Sequence, residues 1–211
     1  YINKIKKEYK SEKLICVRSS SINEDSFKTA NAGKFLTFLN IPLDKAKIKN
    51  AIIKVILSYE DKNPLNQILI QPMLKNVKSS GVIFTRSIES GSPYYKVNID
   101  EESGLTDTIT SGVSKNHRTF SIYKDTPLNN SNINSTIKKL IKSTKEIEEL
   151  VNYDALDIEF AINKNKIIYI LQVRPIVFKS KISKNLDRQV LKNIMKSESK
   201  FLRFSKKSKR A

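Results

Sequence analysis

The sequence predicts an α+β protein. Short runs of branched and aromatic residues are separated by turns carrying Gly, Asn or Pro, stretches with apolar residues at helical spacing stand among them, and no regular strand–helix–strand repeat orders the two. The chain has 211 residues, 39% of them hydrophobic, with nine Phe and eight Tyr. That is enough apolar surface for a core, over a length that fits one domain or two small lobes.

Taken in order, Leu14–Ser20 reads as a buried strand ending in polar residues. Ser21 and Glu24 then have capping-box spacing, which predicts a short helical turn. Thr37–Ile41 is a second strand, stopped by Pro42. Asp44 is an N-cap for a helix whose Ile48, Ala51, Ile52, Val55, Ile56 and Tyr59 share one face. Asn63-Pro64 interrupts the chain before a strand over Gln67–Leu74. Ser80–Arg86 is the next strand, and Gly91-Ser92-Pro93 the turn after it. Tyr94–Ile99, Thr106–Thr110 and Arg118–Tyr123 read as successive antiparallel strands, with His117 in a hairpin turn. A helix carries Ile133, Ile137, Leu140, Ile141, Ile147 and Val151, and Ala155–Ile162 pairs with Lys166–Val173 across the turn Asn163-Lys164-Asn165. Leu186, Val190, Ile194 and Leu202 mark a final, basic amphipathic helix.

Composition excludes several classes of chemistry. A single cysteine, Cys16, cannot form an internal disulfide framework or a cysteine-based zinc site, and one histidine, His117, rules out a two-histidine metal site. Five glycines, none in a P-loop or Gly-x-Gly-x-x-Gly arrangement, rule out the corresponding nucleotide folds. No run approaches the roughly 18 apolar residues of a membrane span. The opening Tyr-Ile-Asn-Lys-Ile-Lys-Lys lacks both a signal-peptide layout and an initiator Met, so a cytoplasmic protein and an excised piece of a longer chain are expected.

The formal net charge of +18 invites a nucleic-acid reading, but its distribution argues against one. Residues 179–211 hold twelve Lys/Arg against Asp187 and Glu198, and residues 1–13 hold five Lys against Glu8 and Glu12. What remains on the body is about +5, so the extreme charge belongs to the two ends.

Polar residues at strand ends are the candidates for chemistry. Arg18 closes the first strand, with a guanidinium fork suited to phosphate or carboxylate or, equally, to a surface ion pair. Gly33, four residues before Thr37, would let backbone approach a phosphate, or simply make a turn. Alternation puts Asp157 and Glu159 on one face of their strand and Gln172 and Arg174 on one face of the next. Juxtaposed in a hairpin, Glu159 and Gln172 would offer oxygen ligands to magnesium with an arginine beside them; a cross-strand ion pair on a solvated face is the alternative.

Four of these segments together resemble a known family. The stretch Val17–Ile41, with Val-Arg-Ser-Ser, Glu24-Asp25, Ala32-Gly33, Thr37 and Leu39-Asn40, is similar to a signature of the ATP-grasp domain of phosphoenolpyruvate synthase and pyruvate phosphate dikinase. Ile68–Leu74 resembles that family's adenine-side hinge, Ser79–Arg86 its Ser-Gly-Val-x-Phe-Thr-Arg element, and Ala155–Ile176 its closing Asp-Ile-Glu-Trp-Ala…Leu-Gln-x-Arg-Pro element. The four occur in the family's order across residues 15–176. The resemblance implies an ATP-grasp fold of antiparallel sheets with flanking helices, an incomplete N-terminal lobe, and ATP and Mg2+ as cofactors. Arg18 would contact the nucleotide phosphates, Gly33 and Thr37 would cover them, and Gln71 would sit at the adenine beside the backbone of Met73 and Leu74. Glu159 and Gln172 would hold magnesium and Arg174 would face the phosphates, which makes Arg18 and Arg174 the catalytic pair. Gln71 as an edge-strand side chain and Met73 as core packing remain open.

The departures limit what is implied. Nothing here corresponds to the family's Gly-rich, lysine-bearing loop, and His117 lacks the Thr-Ser-His context of its phosphorylated histidine. Phe160 stands where the family has Trp. A divergent branch is implied, one that includes rifampin phosphotransferase-like enzymes and the L-glutamine kinase of capsule phosphoramidate synthesis. Residues 1–178 are then expected to form a partial ATP-grasp domain, and 179–211 a basic helical tail or linker. The chain would be the ATP-binding portion of a phosphotransferase that passes phosphate through a phosphohistidine on a swivelling domain to a small acceptor, without turnover by itself. The alternatives are a basic module for nucleic acid or an anionic surface, and a non-catalytic ATP-grasp lobe.

Overall fold

Ile15 and Val17 have no exposed surface, and the first of two units, residues 1–76, is assembled around them. The computed structural model describes residues 1–21, 25–26, 29–30, 36–59, 63–100, 117–129, 133–178, 182–183 and 185–208, with side chains throughout except at 25–26, 29–30, 117 and 202–208.

In the first unit, strands β1 (Leu14–Ser20), β4 (Thr37–Pro42) and β5 (Gln67–Pro72) form an antiparallel sheet in the order β4-β1-β5, while β2 (Asp25–Ser26) pairs with β3 (Thr29–Ala30). Helix α2 (Lys45–Leu57) covers one face of the sheet with Ile48, Ala51 and Val55 against Ile15 and Val17. Asp44 caps it, accepting from the Lys47 amide at 2.9 Å. A cap contributes about 1 kcal/mol and each buried aliphatic side chain about 2 kcal/mol, so packing rather than capping holds α2 in place. The short helix α1 (Ile2–Glu8) was not foreseen; its Ile2 and Ile5, with Tyr9 just beyond, pack on the same core, and the Tyr9 hydroxyl donates to the Ile70 carbonyl at 2.8 Å.

In the second unit, residues 77–211, five antiparallel strands run in the order β10-β9-β6-β7-β8. These are β6 (Val77–Phe84), β7 (Tyr94–Asp100), β8 (His117–Tyr123), β9 (Leu156–Asn163) and β10 (Ile168–Pro175). Helix α3 (Ser135–Val151) packs Ile137, Leu140 and Ile141 onto the face formed by Ile83, Tyr95, Val97, Ile99, Ile158 and Phe160. Asn134 caps its start, and Asn152, with φ of 51°, ends it in a left-handed turn. Helix α4 (Leu186–Ser208) follows the sheet. The architecture is α+β with antiparallel sheets and flanking helices, as predicted.

Local corrections have local causes. The Ser21 hydroxyl donates to Asn66 Oδ1 at 2.8 Å and residues 25–26 form β2; residues 22–24, where the helical turn was expected, lie outside the described residues. Strand β5 ends at Pro72 rather than Leu74, although the Met73 amide still donates to the Leu14 carbonyl at 3.1 Å. Ile56 is about half exposed rather than on the buried face of α2, and Tyr59 lies past the helix end, where its hydroxyl bonds the Gln67 carbonyl. His117 begins β8 rather than sitting in a turn. Thr106–Thr110 lies outside the described residues.

Candidate functional site

In the first unit, strand alternation sorts the candidates onto one face. Ile15 and Val17 point to α2, so Cys16 and Arg18 point away from it. The register places Thr37 and Leu69 opposite Arg18, and Gln71 opposite Cys16. Arg18, Thr37 and Gln71 therefore share the face that α2 leaves uncovered. Arg18 is half-buried, and Thr37 and Gln71 are exposed. Burial pushes the Cys16 thiol above its ordinary pKa, against the opposing pull of the Arg18 charge. Beyond β5, the Met73 amide donates to the Leu14 carbonyl at 3.1 Å, which carries the chain straight on from the strand into Met73 and Leu74, both half-buried. Gly33 lies outside the described residues.

In the second unit, the face opposite α3 gathers the other three. Ile158 and Phe160 point into the core, which turns Asp157 and Glu159 outward. Gln172 is the register partner of Glu159, and Arg174 of Asp157. A β-bulge at Leu171 makes this possible. In an unbroken strand Gln172 would follow Ile168 and Ile170 onto the core side; the bulge absorbs one residue, so that Val173 packs inward and Gln172 and Arg174 face out. Arg174 Nε donates to Asp157 Oδ2 at 2.7 Å, and its Nη2 lies 3.8 Å from Glu159 Oε1. All three side chains are at most 23% exposed.

The same face carries two cross-strand rows. One runs Gln172, Glu159, Val82, Asn98, Thr119, and the next Arg174, Asp157, Phe84, Lys96, Ser121. Thr119 donates to Asn98 Oδ1 at 2.8 Å, and Lys96 pairs with Glu89 at 3.2 Å. Glu89 is held down to about 2 chiefly by the Ser87 hydroxyl, then by a backbone hydrogen bond and by Lys96. Alternation had placed Asp157 on this face without giving it a role. Its role as the partner that fixes the Arg174 fork was legible only once the register was known.

The donors suit a hard cation. Glu159 and Gln172 present a carboxylate and an amide oxygen from neighbouring strands, and magnesium takes one or two such ligands while keeping waters and phosphate oxygens. Among the described residues no group of three or more His, Cys, Asp and Glu forms a closed cage.

Arg86, just after β6, also escaped the sequence reading. It is 12% exposed and joins Asp154 to Asp187, and its one visible signal was its place in the Phe-Thr-Arg element.

Comparison with known proteins agrees with the resemblance. Residues 1–152 match the family described as pyruvate phosphate dikinase, AMP/ATP-binding domain. The chain is 28% identical over 215 residues to the "uncharacterized phosphotransferase YvkC" of Bacillus subtilis (strain 168), an alignment covering 82% of this chain and 25% of that protein. The chain thus spans about a quarter of the length of this curated relative. Among solved structures, the macrocyclase MdnC bound with precursor peptide MdnA from Microcystis aeruginosa MRC overlaps 83% of this chain and 45% of its own, with a TM-score of 0.42 at 11% identity. D-alanyl-alanine synthetase A from Vibrio cholerae O1 biovar eltor str. N16961 overlaps 83% and 46%, with a TM-score of 0.41 at 14% identity. The family match takes in Arg18, Thr37 and β5 and ends before β9. Matched over residues 1–152 of 211, the chain belongs to the pyruvate phosphate dikinase AMP/ATP-binding domain family.

Proposed function

We propose that this chain is the nucleotide-binding portion of an ATP-dependent phosphotransferase, with residues 1–178 as the binding domain and 179–211 as the arm leading out of it. The observation that carries this reading is the hairpin β9–β10, where Glu159 and Gln172 stand side by side and Arg174 is braced by Asp157. Glu159 and Gln172 would hold Mg2+, which when bound offsets phosphate charge. Arg174, its Nε fixed on Asp157, would present the remainder of its fork to phosphate oxygens. In the first unit Arg18 would contact phosphates, Gly33 and Thr37 would lie over them, and Gln71 would meet the adenine. Because the Met73 amide is bonded to Leu14, the base edge would be read by the Met73 carbonyl and the Leu74 amide. Phosphoryl transfer depends mainly on positioning and charge stabilisation, and the chain's side chains are of the kind that supply both.

In the longer enzyme, phosphate would pass to a histidine on a mobile domain and then to a small acceptor. The Lys-, Asn- and Ile-rich composition favours the L-glutamine kinase-like branch. The 211 residues alone would bind ATP without turning it over.

Calorimetry of ATP binding with and without Mg2+ tests the reading. Wild-type chain should bind ATP more tightly with the metal, and Glu159→Ala should lose about tenfold or more of that Mg-dependent gain at an unchanged melting temperature. Identical Mg-dependence in wild type and Glu159→Ala would refute the assignment.

A further inference from the structure

Arg86 uses its whole guanidinium. Nε donates to Asp154 Oδ2 at 3.0 Å. Nη1 donates to the Gly91 carbonyl at 2.9 Å and to Asp187 Oδ1 at 2.7 Å, and Nη2 to Asp154 Oδ2 at 2.6 Å and Asp187 Oδ2 at 2.8 Å. An arginine has five N–H donors, and here all five are engaged. The side chain is 12% exposed, while the two carboxylates it holds are about half exposed.

The two acids belong to different parts of the second unit. Asp154 lies two residues before the start of β9, three before Asp157 and five before Glu159. Thr85, next to Arg86, grips the same spot: its hydroxyl donates to the Asp154 carbonyl and accepts from the Leu156 amide, each at 2.7 Å. Asp187 lies in the first turn of α4. The chain leading into that helix rests on the same turn, since a Cβ at Gly91 would come within 2.7 Å of Ile182. Gly91 has a φ of 70°, so its backbone also requires glycine.

Electrostatics ties the acids together through the arginine. Hydrogen bonding to Arg86 holds the Asp187 carboxyl below its ordinary range, against burial and the nearby Asp154 charge. Burial pushes Asp154 up, but Arg86 and Lys124 outweigh it and hold its carboxyl low as well. Without the guanidinium, two carboxylates would face each other.

We propose that Arg86 is a positioning residue that couples the seating of α4 to the start of β9, and so to where Asp157 and Glu159 stand. This rests on the nucleotide reading above and adds regulation to it. Whatever moves α4 pulls on Asp187, then on Arg86, then on the strand that carries the metal-side carboxylates. By thermodynamic reciprocity, Mg-nucleotide bound at β9 would steady α4.

The test uses the whole 211-residue chain and variants that separate the two arms of the link. Asp187→Asn cuts only the α4 arm, and hydrogen exchange at the amides of residues 156–159 reads the effect without any nucleotide. Those amides should exchange about tenfold faster, as expected when one charge-assisted contact to a shared anchor is lost, and Asp187→Glu should restore most of the protection. Binding of Mg2+ with a non-hydrolysable ATP analogue should weaken in parallel in Asp187→Asn. Arg86→Gln should be more damaging than Asp187→Asn, and the double variant Arg86→Gln/Asp187→Asn milder than Arg86→Gln, because the facing carboxylates no longer repel.

Wild-type exchange at 156–159 in Asp187→Asn, with only α4 itself exchanging faster, would overturn the coupling and leave Arg86 as a peg for the helix. If the wild-type chain binds no analogue, the nucleotide reading falls, while the exchange comparison still decides the coupling. Should Arg86→Gln fail to fold, Asp187→Asn and Asp187→Glu decide alone.

Discussion

Gly81 shows how a single residue constrains the site sheet. A Cβ there would lie 2.1 Å from the Asn98 carbonyl oxygen and 2.8 Å from the Phe160 ring. The first of these is backbone of the neighbouring strand and cannot swing aside, so the requirement is for close approach. Gly81→Ala should therefore cost about 3 kcal/mol or more, read as a lowered melting temperature of the second unit. An unchanged melting curve would show that β6 and β7 can spread at no cost. Phe160, fully buried where the family has Trp, belongs to the same contact. Legibility at this scale was uneven. Arg18, Glu159, Gln172 and Arg174 stood out because alternation turns polar residues of otherwise apolar strands to one face and because they lie in the segments that resemble the family. Asp157 and Arg86 were hidden because their meaning depends on partners 17 and 101 residues away.

At the scale of elements, the bulge at Leu171 makes an unusual prediction. Because it absorbs one residue, deleting Leu171 leaves Ile170 inward, Gln172 outward, Val173 inward and Arg174 outward. The shortened strand should keep its melting temperature within a few degrees and retain Mg-dependent ATP binding. A single alanine inserted after Gln172 should instead turn Arg174 inward and abolish both, since a one-residue slip exchanges the two faces of a strand. Equal damage from the two changes would show that the bulge is needed for its twist rather than for its phase. The longer helices were legible because their apolar spacing, and for α2 the Asp44 cap, are local signals. The bulge was not, because Ile168-Tyr169-Ile170-Leu171 fits more than one phase and only pairing with β9 selects between them. Helix α1 escaped for a related reason: its seven residues are too short for periodicity to register, and its packing on α2 and β5 defines it.

For the whole molecule, charge and pH are the relevant variables. Much of the +18 is carried by α4 and its flanks, where Arg188, Lys192, Lys196 and Lys200 form an exposed i, i+4 ladder. No helix among the described residues is long and apolar enough to cross a membrane. The only acid in the first turn of α4 is Asp187, so a net-positive helix is tied down at its start by a carboxylate. Asp154 and Asp187 both have depressed folded-state pKa values, so their contribution is fully present above the unfolded value of about 3.9 and fades as pH falls through the folded values. Arg86, whose pKa is raised chiefly by its hydrogen bond to Asp187, stays charged throughout. The start of α4 should stay protected from hydrogen exchange from neutral pH down to about 4 and lose protection below it. Loss already near pH 6, or none in strong acid, would contradict the ion-pair account.

Cys16 lends the molecule a practical property. The chain's lone thiol is 8% exposed in β1, and its surroundings keep it protonated beyond its ordinary range. A fluorophore or spin probe attached through a cysteine engineered elsewhere would thus face almost no competing background label. Every segment from α1 to α4 is open to site-directed spectroscopy without first removing a native residue.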